Sequence, residues 1–257
     1  MKPIFKSRCA TESASNSDNS RSRKTREIRR LLVESLENRQ LLAVDISIAD
    51  VSIKEQGNLS TFVAGNNAMH PNPVGIAFGP DLNGDSAQDL YVISGGKNGS
   101  HSIAVYDGNT GVLVDDYLPA GTGLYQPGWL TFDAEGNLYT SIAPPAGGAR
   151  TSIMRVDHMT RAVTTFVPSS VSGGLQNAKG LTFGPDGNLY VADANSNRVF
   201  RYDGATGQYM DVFVETSSGL NGPTDVVFGP DRNGDLVPDL YVSNNGADNV
   251  IIFDGGT

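Results

Sequence analysis

Short apolar stretches alternate with polar turns through residues 72–257, and one arrangement of them occurs four times. Each copy has an apolar stretch that ends in Phe, a polar turn, and a second stretch that begins with Leu-Tyr. A third stretch follows and ends in an aromatic residue or Val and then Asp. Such self-similarity at a period of roughly 45 to 55 residues indicates a repeat architecture of short strands. The recurring positions are Phe78 with Leu90 and Tyr91, Phe132 with Leu138 and Tyr139, Phe183 with Leu189 and Tyr190, and Phe228 with Leu240 and Tyr241.

A fourth apolar stretch follows the third in three of the copies, as in VLVDDYL at 112–118 and YMDVFV at 209–214. Four short antiparallel strands per repeat are typical of a propeller blade. A single four-stranded sheet cannot bury both faces in water, so each blade must pack against its neighbours. The predicted fold is therefore all-β, a β-propeller of about four four-stranded blades over residues 46–257, preceded by a separate N-terminal segment, residues 1–45.

The third copy, GLTFGPDGNLYVADANSNRVFRYD at 180–203, resembles an NHL repeat. The resemblance spans residues 72–257 with lower fidelity in the second copy, and it implies a β-propeller fold.

A possible closing strand precedes the first copy. LSTFVAG at 59–65 matches VTTFVPS at 163–169, a fourth-strand sequence, and Phe62 precedes Phe78 at nearly the spacing by which Phe166 precedes Phe183. The match predicts that residues 59–63 pair with residues 250–253 and close the ring. Four blades is an uncommon number for NHL-like propellers. The alternatives are that the chain is a fragment or that two chains complete one ring by self-association.

The first and fourth copies carry the same acidic insertion between the Phe and the Leu-Tyr. These positions are 12 residues apart in the long copies and 6 in the short ones. A hard cation such as Ca²⁺ takes about six to eight oxygen ligands, and alternate Asp and Asn side chains of a tightly turned loop converge on one point. The predicted ligands are the side chains at loop positions 1, 3, 5 and 9 and the backbone carbonyl at position 7: Asp81, Asn83, Asp85, Asp89 and Ala87 in the first loop, and Asp231, Asn233, Asp235, Asp239 and Val237 in the second.

These loops resemble the DxNGDGxxDL loop of FG-GAP-type propeller repeats and, at a distance, EF-hand loops. They depart from the FG-GAP pattern at Ser86 and Leu236, where Gly is usual, and they lack the bidentate Glu that ends an EF-hand loop. The resemblance implies Ca²⁺ as cofactor, with a Kd on the order of 10⁻⁴ to 10⁻³ M as in extracellular modules. The alternative is a solvated turn rich in Asp and Asn.

Charge divides the chain at about residue 45. Residues 1–45 hold 10 Lys and Arg against 6 Asp and Glu, and the remainder holds 9 against 22. The acidic repeat region disfavours nucleic acid and anionic membrane surfaces and favours cations. No apolar run reaches the length of a membrane span. The single cysteine, Cys9, excludes a disulfide framework and a thiolate metal site.

The N-terminal segment begins with a Ser- and Arg-rich arm, residues 1–30, whose composition predicts disorder. It continues into IRRLLVESLENRQLLA at 28–43, whose Leu spacing predicts a short amphipathic helix. LENRQLLA at 36–43 resembles the LEPR-XLL segment of exported planctomycete proteins, with Asn38 in place of the usual Pro. The resemblance implies export, and so a secreted or cell-surface location, by a route other than an ordinary signal peptide.

Candidate catalytic residues are few. Propeller enzymes with related repeats, such as gluconolactonase-like hydrolases and streptogramin lyases, use a metal in the central channel. The segments that open the four copies are NPVGIAF, QPGWLTF, NAKGLTF and GPTDVVF, and they contain one acidic residue, Asp225, which is predicted to be a solvated turn residue. His70, His101 and His158 have no neighbouring constellation for general-base chemistry and are predicted to be exposed. Trp129 is predicted to pack between blades.

The leading hypothesis is an exported calcium-binding propeller that acts as a non-catalytic binding or scaffold module for an unidentified protein or glycan. The alternative is a metal-dependent lactonase-like or lyase-like hydrolase with its site at the central channel.

Overall fold

Antiparallel β-strands form almost all of the regular structure in the part of the chain that the structure describes. The structure is a computed structural model, and it describes residues 61–63, 71–95, 101–143 and 151–256, which belong to one compact unit, Thr61–Thr257. The predicted helix at 28–43 and the residues up to 60 lie outside the described residues. Within the described ranges, no helix is both long and apolar enough to cross a membrane.

The strands form four sheets, one for each sequence repeat. The first sheet contains β1 (Pro73–Gly79), β2 (Asp89–Gly95), β3 (His101–Tyr106) and β4 (Leu113–Leu118) in that order. The second contains β5 (Pro127–Phe132), β6 (Leu138–Ile142), β7 (Ser152–Val156) and β8 (Val163–Val167). The third contains β9 (Ala178–Phe183), β10 (Leu189–Asp193), β11 (Arg198–Tyr202) and β12 (Tyr209–Val214). The fourth contains β13 (Pro223–Gly229), β14 (Asp239–Asn244) and β15 (Asn249–Phe253).

The four sheets are the blades of a propeller, which confirms the predicted fold. The first strands of successive blades lie side by side, β1 against β5, β5 against β9, and β9 against β13. Two single-turn 3₁₀-helices, Thr216–Ser218 and Asn245–Ala247, interrupt the loops around the fourth blade. A fourth strand is present in the three blades for which the sequence predicted one.

The core lies between the blades, where neighbouring sheets bury apolar side chains against each other. At each junction, the Tyr of the Leu-Tyr pair packs edge-on against an aromatic ring of its own fourth strand and against the Phe of the next blade. Tyr139 shows the pattern, with its ring centroid 4.8 Å from that of Phe166 and 4.9 Å from that of Phe183. The residues that define the repeat in the sequence are therefore the residues that join the blades.

The predicted closure of the ring within one chain is wrong for the residues that the structure describes. Residues 61–63 form no strand, and β15 pairs with β14 alone. Val63 instead packs against buried residues of the first blade. The physical reason is that the four blades form an arc whose ends do not meet, since Ile76 at one end is 67% exposed and Val250 at the other is 63% exposed. Leu59 and Ser60 lie outside the described residues.

Candidate functional site

The two acidic loops connect the first and second strands of their blades and have the same internal hydrogen bonds. In the first loop, the Asp81 carboxylate accepts the backbone N–H groups of Gly84 and Ser86 at 2.7 and 2.8 Å. In the second loop, Asp231 accepts those of Gly234 and Leu236 at 2.7 Å. Two loops of different sequence thus adopt one conformation because their Asp residues at position 1 organise the turn in the same way.

The remaining predicted ligands continue this network along each loop. Side-chain oxygens at positions 3 and 5 each accept the backbone N–H two residues later, as Asn83 does from Asp85 and as Asp85 does from Ala87. The second loop repeats both bonds with Asn233, Asp235 and Val237. These bonds fix the conformation of positions 1 to 7 in both loops. Coordination of a cation by the carbonyl groups of Ala87 and Val237 stays a prediction.

Position 9 of each loop holds a buried carboxylate. Asp89 is 0% exposed and Asp239 is 3% exposed, and each begins the second strand of its blade. One oxygen accepts a backbone N–H from the loop, from Leu82 at 2.7 Å in the first and from Arg232 at 2.9 Å in the second. The other oxygen, Oδ1, is buried without a hydrogen-bond partner in both. A buried charged oxygen without a partner is costly, so this atom marks the place where a cation would be stabilising.

The short loops of the other two blades carry a neutral amide at this position. Asn137 precedes Leu138, and its amide group donates to Asp133 at 2.8 Å and accepts from His158 at 3.2 Å. Asn188 precedes Leu189 and is likewise bonded on both sides, to Asp186 and Gly204. A carboxylate with an unpartnered oxygen thus accompanies the six-residue insertion and is not a general feature of the blade.

The structure adds two carboxylates that the sequence did not single out. Asp107, which ends the third strand of the first blade, accepts the Asn83 side-chain amide at 2.8 Å. Asp254 occupies the same place in the fourth blade, where it accepts the Gly256 N–H at 2.8 Å. The available signal was the Asp that follows every third strand, but Asp157 and Asp203 have the same sequence context and bind their own turns, and Asp157 also pairs with Arg155. The positions of Asp107 and Asp254 relative to the loops depend on how the hairpins pack.

The carboxylates at position 1 are held in their charged form. Burial acts to raise the pKa of Asp81, but hydrogen bonds from the backbone N–H groups of Ser86 and Gly84 lower it below its usual value. Backbone N–H groups of Gly234 and Leu236 lower the pKa of Asp231 in the same way. Among the described residues, however, no three side chains of Asp, Glu, His or Cys are drawn together closely enough to hold a metal ion.

Position 6 of each loop has left-handed backbone geometry, although neither residue there is glycine. Ser86 has a φ of 71° and Leu236 a φ of 72°, and the Leu236 side chain is 91% exposed. A branched residue is strained in this region, and Leu236 gains little packing in return.

We expect Leu236→Gly to raise the free energy of unfolding by about 1 kcal/mol, because glycine relieves the left-handed strain. Urea unfolding of the calcium-free chain measures this change. Gly234→Ala is the matched control, since Gly234 has a φ of 86° and open space around its missing Cβ. It should lower the stability by a similar amount, and equal stability of both variants and the parent would contradict the assignment of strain.

A cavity of about 500 Å³ lies between the first strands of the four blades. Asp225 is an acidic residue of this cavity, and it lies within β13 and not in a turn as predicted. Burial raises the pKa of its carboxyl group, and a hydrogen bond from the Val226 N–H opposes the shift. The main lining residues are Val74, Ile76, Trp129, Leu130, Leu181 and Asp225.

Histidine and tryptophan positions differ in part from the predictions. His101 begins β3 and is only 9% exposed, so the prediction of an exposed loop residue is wrong. Its burial follows from its place in the sheet, where it pairs with Gly95, and its Nδ1 accepts the Gln126 N–H at 3.4 Å. Trp129 packs against the core between the second and third blades, as predicted, with the Lys179 ammonium 5.2 Å from its ring centroid. His70 lies outside the described residues.

Family comparisons agree with the NHL and planctomycete resemblances in the sequence. Residues 175–202 match the NHL repeat family, and residues 29–46 match the family described as Planctomycete extracellular. No curated protein shows significant similarity to this chain.

Solved structures with the same fold are distant in sequence. Hydrazine synthase of Kuenenia stuttgartiensis aligns with a TM-score of 0.53 at 14% identity, over 72% of this chain and 59% of that one. A nidogen/laminin complex aligns with a TM-score of 0.51 at 21% identity, over 72% and 60%. A gluconolactonase from Xanthomonas campestris aligns with a TM-score of 0.45 at 19% identity, over 65% of this chain and 55% of that one. The chain thus spans less than two thirds of these structures, and the likeness concerns the fold alone.

Proposed function

We propose that this chain is an exported, calcium-binding β-propeller that acts as a non-catalytic binding or scaffold module for a protein or glycan. The observation that carries calcium binding is the buried, unpartnered Oδ1 of Asp89 and of Asp239 at position 9 of the two loops. Each oxygen lies in a loop whose other predicted ligands are already organised by backbone hydrogen bonds. A carboxylate offers about four lone-pair sites, so acceptance of an N–H group leaves capacity for a cation.

Calcium in these loops would be structural. The loops join strands within a blade, and a bound cation would neutralise carboxylates that repel one another in its absence. The match of residues 29–46 to the planctomycete extracellular family supports export, and millimolar calcium is the concentration range in which extracellular modules of this affinity work. A stabilised propeller presents loops on its faces, which suits a binding module.

The alternative hydrolase needs a metal in the channel. Asp225 supplies a single carboxylate to the described cavity, whose other main lining residues are apolar. The two proposals therefore differ in the place where a divalent cation binds.

Calcium titration of the full chain by calorimetry tests this proposal. We expect two sites, and at a hundredfold excess of calcium over Kd each site should add about 2.7 kcal/mol to the free energy of unfolding. Asp89→Asn and Asp239→Asn should each remove one site, because they introduce the amide that the blades without an insertion carry. Without calcium, the same variants should be at least as stable as the parent, since the amide removes a buried charge.

Asp248→Asn is the control, because Asp248 is exposed and lies in a turn outside both loops. It should leave both sites intact. The loop sites would be refuted if calorimetry at millimolar calcium showed no binding and the Tm did not rise with calcium. A site that survives both loop substitutions and is lost in Asp225→Asn would place the metal in the channel and support the hydrolase.

A further inference from the structure

Two neighbouring segments of the first blade are joined by a reciprocal pair of side-chain hydrogen bonds. We call residues 107–112, which connect β3 to β4, the third-strand turn. The Asn83 amide group of the first loop donates to the Asp107 carboxylate of this turn at 2.8 Å. The Asn109 amide group of the turn donates to the Asp85 carboxylate of the loop at 3.0 Å. Each segment thus supplies one amide and one carboxylate to the other.

The Asp107 carboxylate serves both segments at once. Its Oδ1 accepts the backbone N–H groups of Asn109 and Thr110 at 2.8 and 2.7 Å, and these bonds hold the third-strand turn. Its Oδ2 accepts the Asn83 amide. Because both oxygens belong to one planar group, a movement of the first loop that shifts Asn83 also acts on the turn.

The Asp85 carboxylate is divided in the same way. Its Oδ1 accepts the Ala87 N–H at 2.8 Å within the loop, and its Oδ2 accepts the Asn109 amide. Asp85 and Asn83 are two of the ligands proposed for calcium. An ionised carboxylate has about four lone-pair sites, so two hydrogen bonds leave room for a cation. The bond from Asn109 and coordination of calcium are therefore compatible at Asp85.

The two bonds lie near the surface and are expected to be weak without a cation. Three of the four side chains are exposed, and Asp107 is half-buried. Ordering an exposed side chain costs conformational entropy, which offsets much of the gain from its hydrogen bond. A cation that holds Asn83 and Asp85 removes part of this cost for the bonds to the turn. By thermodynamic reciprocity, these bonds strengthen the binding of the cation by the same factor.

The third blade has the same turn without an acidic insertion before it. There the Asp203 Oδ1 accepts the backbone N–H groups of Ala205 and Thr206 at 3.1 and 2.8 Å, as Asp107 does in the first blade. Ala205 stands where the first blade has Asn109. The fold of the turn therefore does not need an amide at this place, and the Asn109 side chain is free to serve the loop.

The second loop forms a bond within itself where the first loop bonds to the turn. The Asn233 amide donates to the Asp235 carboxylate at 3.2 Å. Gly256 stands where the first blade has Asn109, and it has no side chain that could donate to Asp235. The two loops thus share one internal conformation and differ in their connection to the rest of the blade.

We propose that the first loop and the third-strand turn form one calcium-responsive unit, in which Asp107 and Asn109 are positioning residues for the first cation site. Calcium in the loop orders the turn, and the turn raises the affinity of the first site above that of the second. This inference rests on the proposed function, since it requires the cation whose place the buried, unpartnered Oδ1 of Asp89 marks. Calcium then controls a surface built from segments 24 residues apart.

Calorimetric titration of full-length variants with one site tests the effect on affinity. In Asp239→Asn, which keeps the first site, adding Asn109→Ala should weaken calcium binding about tenfold, the effect of one hydrogen bond of ordinary net strength. In Asp89→Asn, which keeps the second site, Asn109→Ala should leave the Kd unchanged. Ala205→Asn in the Asp239→Asn chain is the matched control, because it places the amide in a turn without an acidic loop. It should not change the Kd.

Amide hydrogen exchange of the parent chain, with and without calcium, tests the effect on the turn, because exchange reports local opening. We expect calcium to slow the exchange of the Thr110 N–H about tenfold and to leave that of Thr206 unchanged. Asn109→Ala should reduce the effect at Thr110. Thr206 is the internal control, since it makes the same backbone bond in the third blade.

The outcomes separate this inference from calcium binding itself. If the parent binds no calcium, the proposed function fails and this inference fails with it. If the parent binds two calcium ions but Asn109→Ala leaves the first site unchanged, or weakens both sites equally, only this inference is overturned. The same holds if calcium slows the exchange of Thr110 and Thr206 equally, because the effect would then be a general gain in stability.

Discussion

Replacement of Tyr139 by alanine is expected to lower the free energy of unfolding by about 3 to 5 kcal/mol, the cost of truncating a buried aromatic residue. Tyr139 is 2% exposed, and it packs edge-on against Phe166 and Phe183 at the junction of the second and third blades. Its hydroxyl group also donates to Asp133 at 2.9 Å. Alanine would leave a cavity between two blades whose backbones are fixed by their own sheets.

Denaturant unfolding of the full chain measures this change, and Tyr139→Phe separates its causes. Phenylalanine keeps the ring and loses only the hydroxyl hydrogen bond, so we expect a loss of about 1 kcal/mol. If both variants lose the same amount, the hydroxyl group and not the ring packing would hold the junction. Tyr139→Phe remains informative if the alanine variant does not fold.

Asp193→Ala is expected to cost more than about 3 kcal/mol, because it leaves several backbone N–H groups without an acceptor. Asp193 is fully buried at the end of β10. One of its oxygens accepts the N–H groups of Asn195 and Ser196, both at 3.0 Å. The other accepts those of Gln176 and Asn177 in the loop that leads into the third blade. The carboxylate thus ties two loops to one strand.

Asp193→Asn is the matched variant, and it should cost less. Asn244 holds the equivalent place in the fourth blade, where its side-chain oxygen accepts the Asn221 N–H at 2.6 Å and its amide donates to the Gly219 carbonyl at 3.2 Å. An amide therefore suits this position, although it loses the stronger bonds of a charged acceptor. Urea unfolding and amide hydrogen exchange of Asn195 and Ser196 measure both effects. If the free energy of unfolding of Asp193→Ala lies within about 1 kcal/mol of the parent's, water replaces the carboxylate as the acceptor of these N–H groups.

Local features of the acidic loops were predictable from the sequence, and their burial was not. The alternate Asp and Asn residues organise the turn through bonds that span two to five residues, so spacing alone indicated them. The burial of Asp89 and Asp239 depends on neighbouring elements that cover the start of the second strand. The same holds for Asp107, which reaches Asn83 across 24 positions of the chain. Calcium binding itself stays a prediction.

The sequence by itself determined the blades. The recurring Phe and Leu-Tyr positions are local signals, and they sufficed for the number of blades and most of their strands, although His101 and Asp225 were predicted outside the strands that contain them. The similarity of LSTFVAG to a fourth strand, by contrast, predicted a pairing with residues 250–253 that the described residues 61–63 do not make.

Only the tertiary structure decided that residues 61–63 do not pair with β15. Closure depends on the rotation between blades, which accumulates over three junctions, and no local pattern encodes such a sum. The structure shows that four blades leave Ile76 and Val250 uncovered at opposite ends of an arc. A local motif can therefore resemble a fourth strand, whereas the packing of all the blades decides whether it pairs with one.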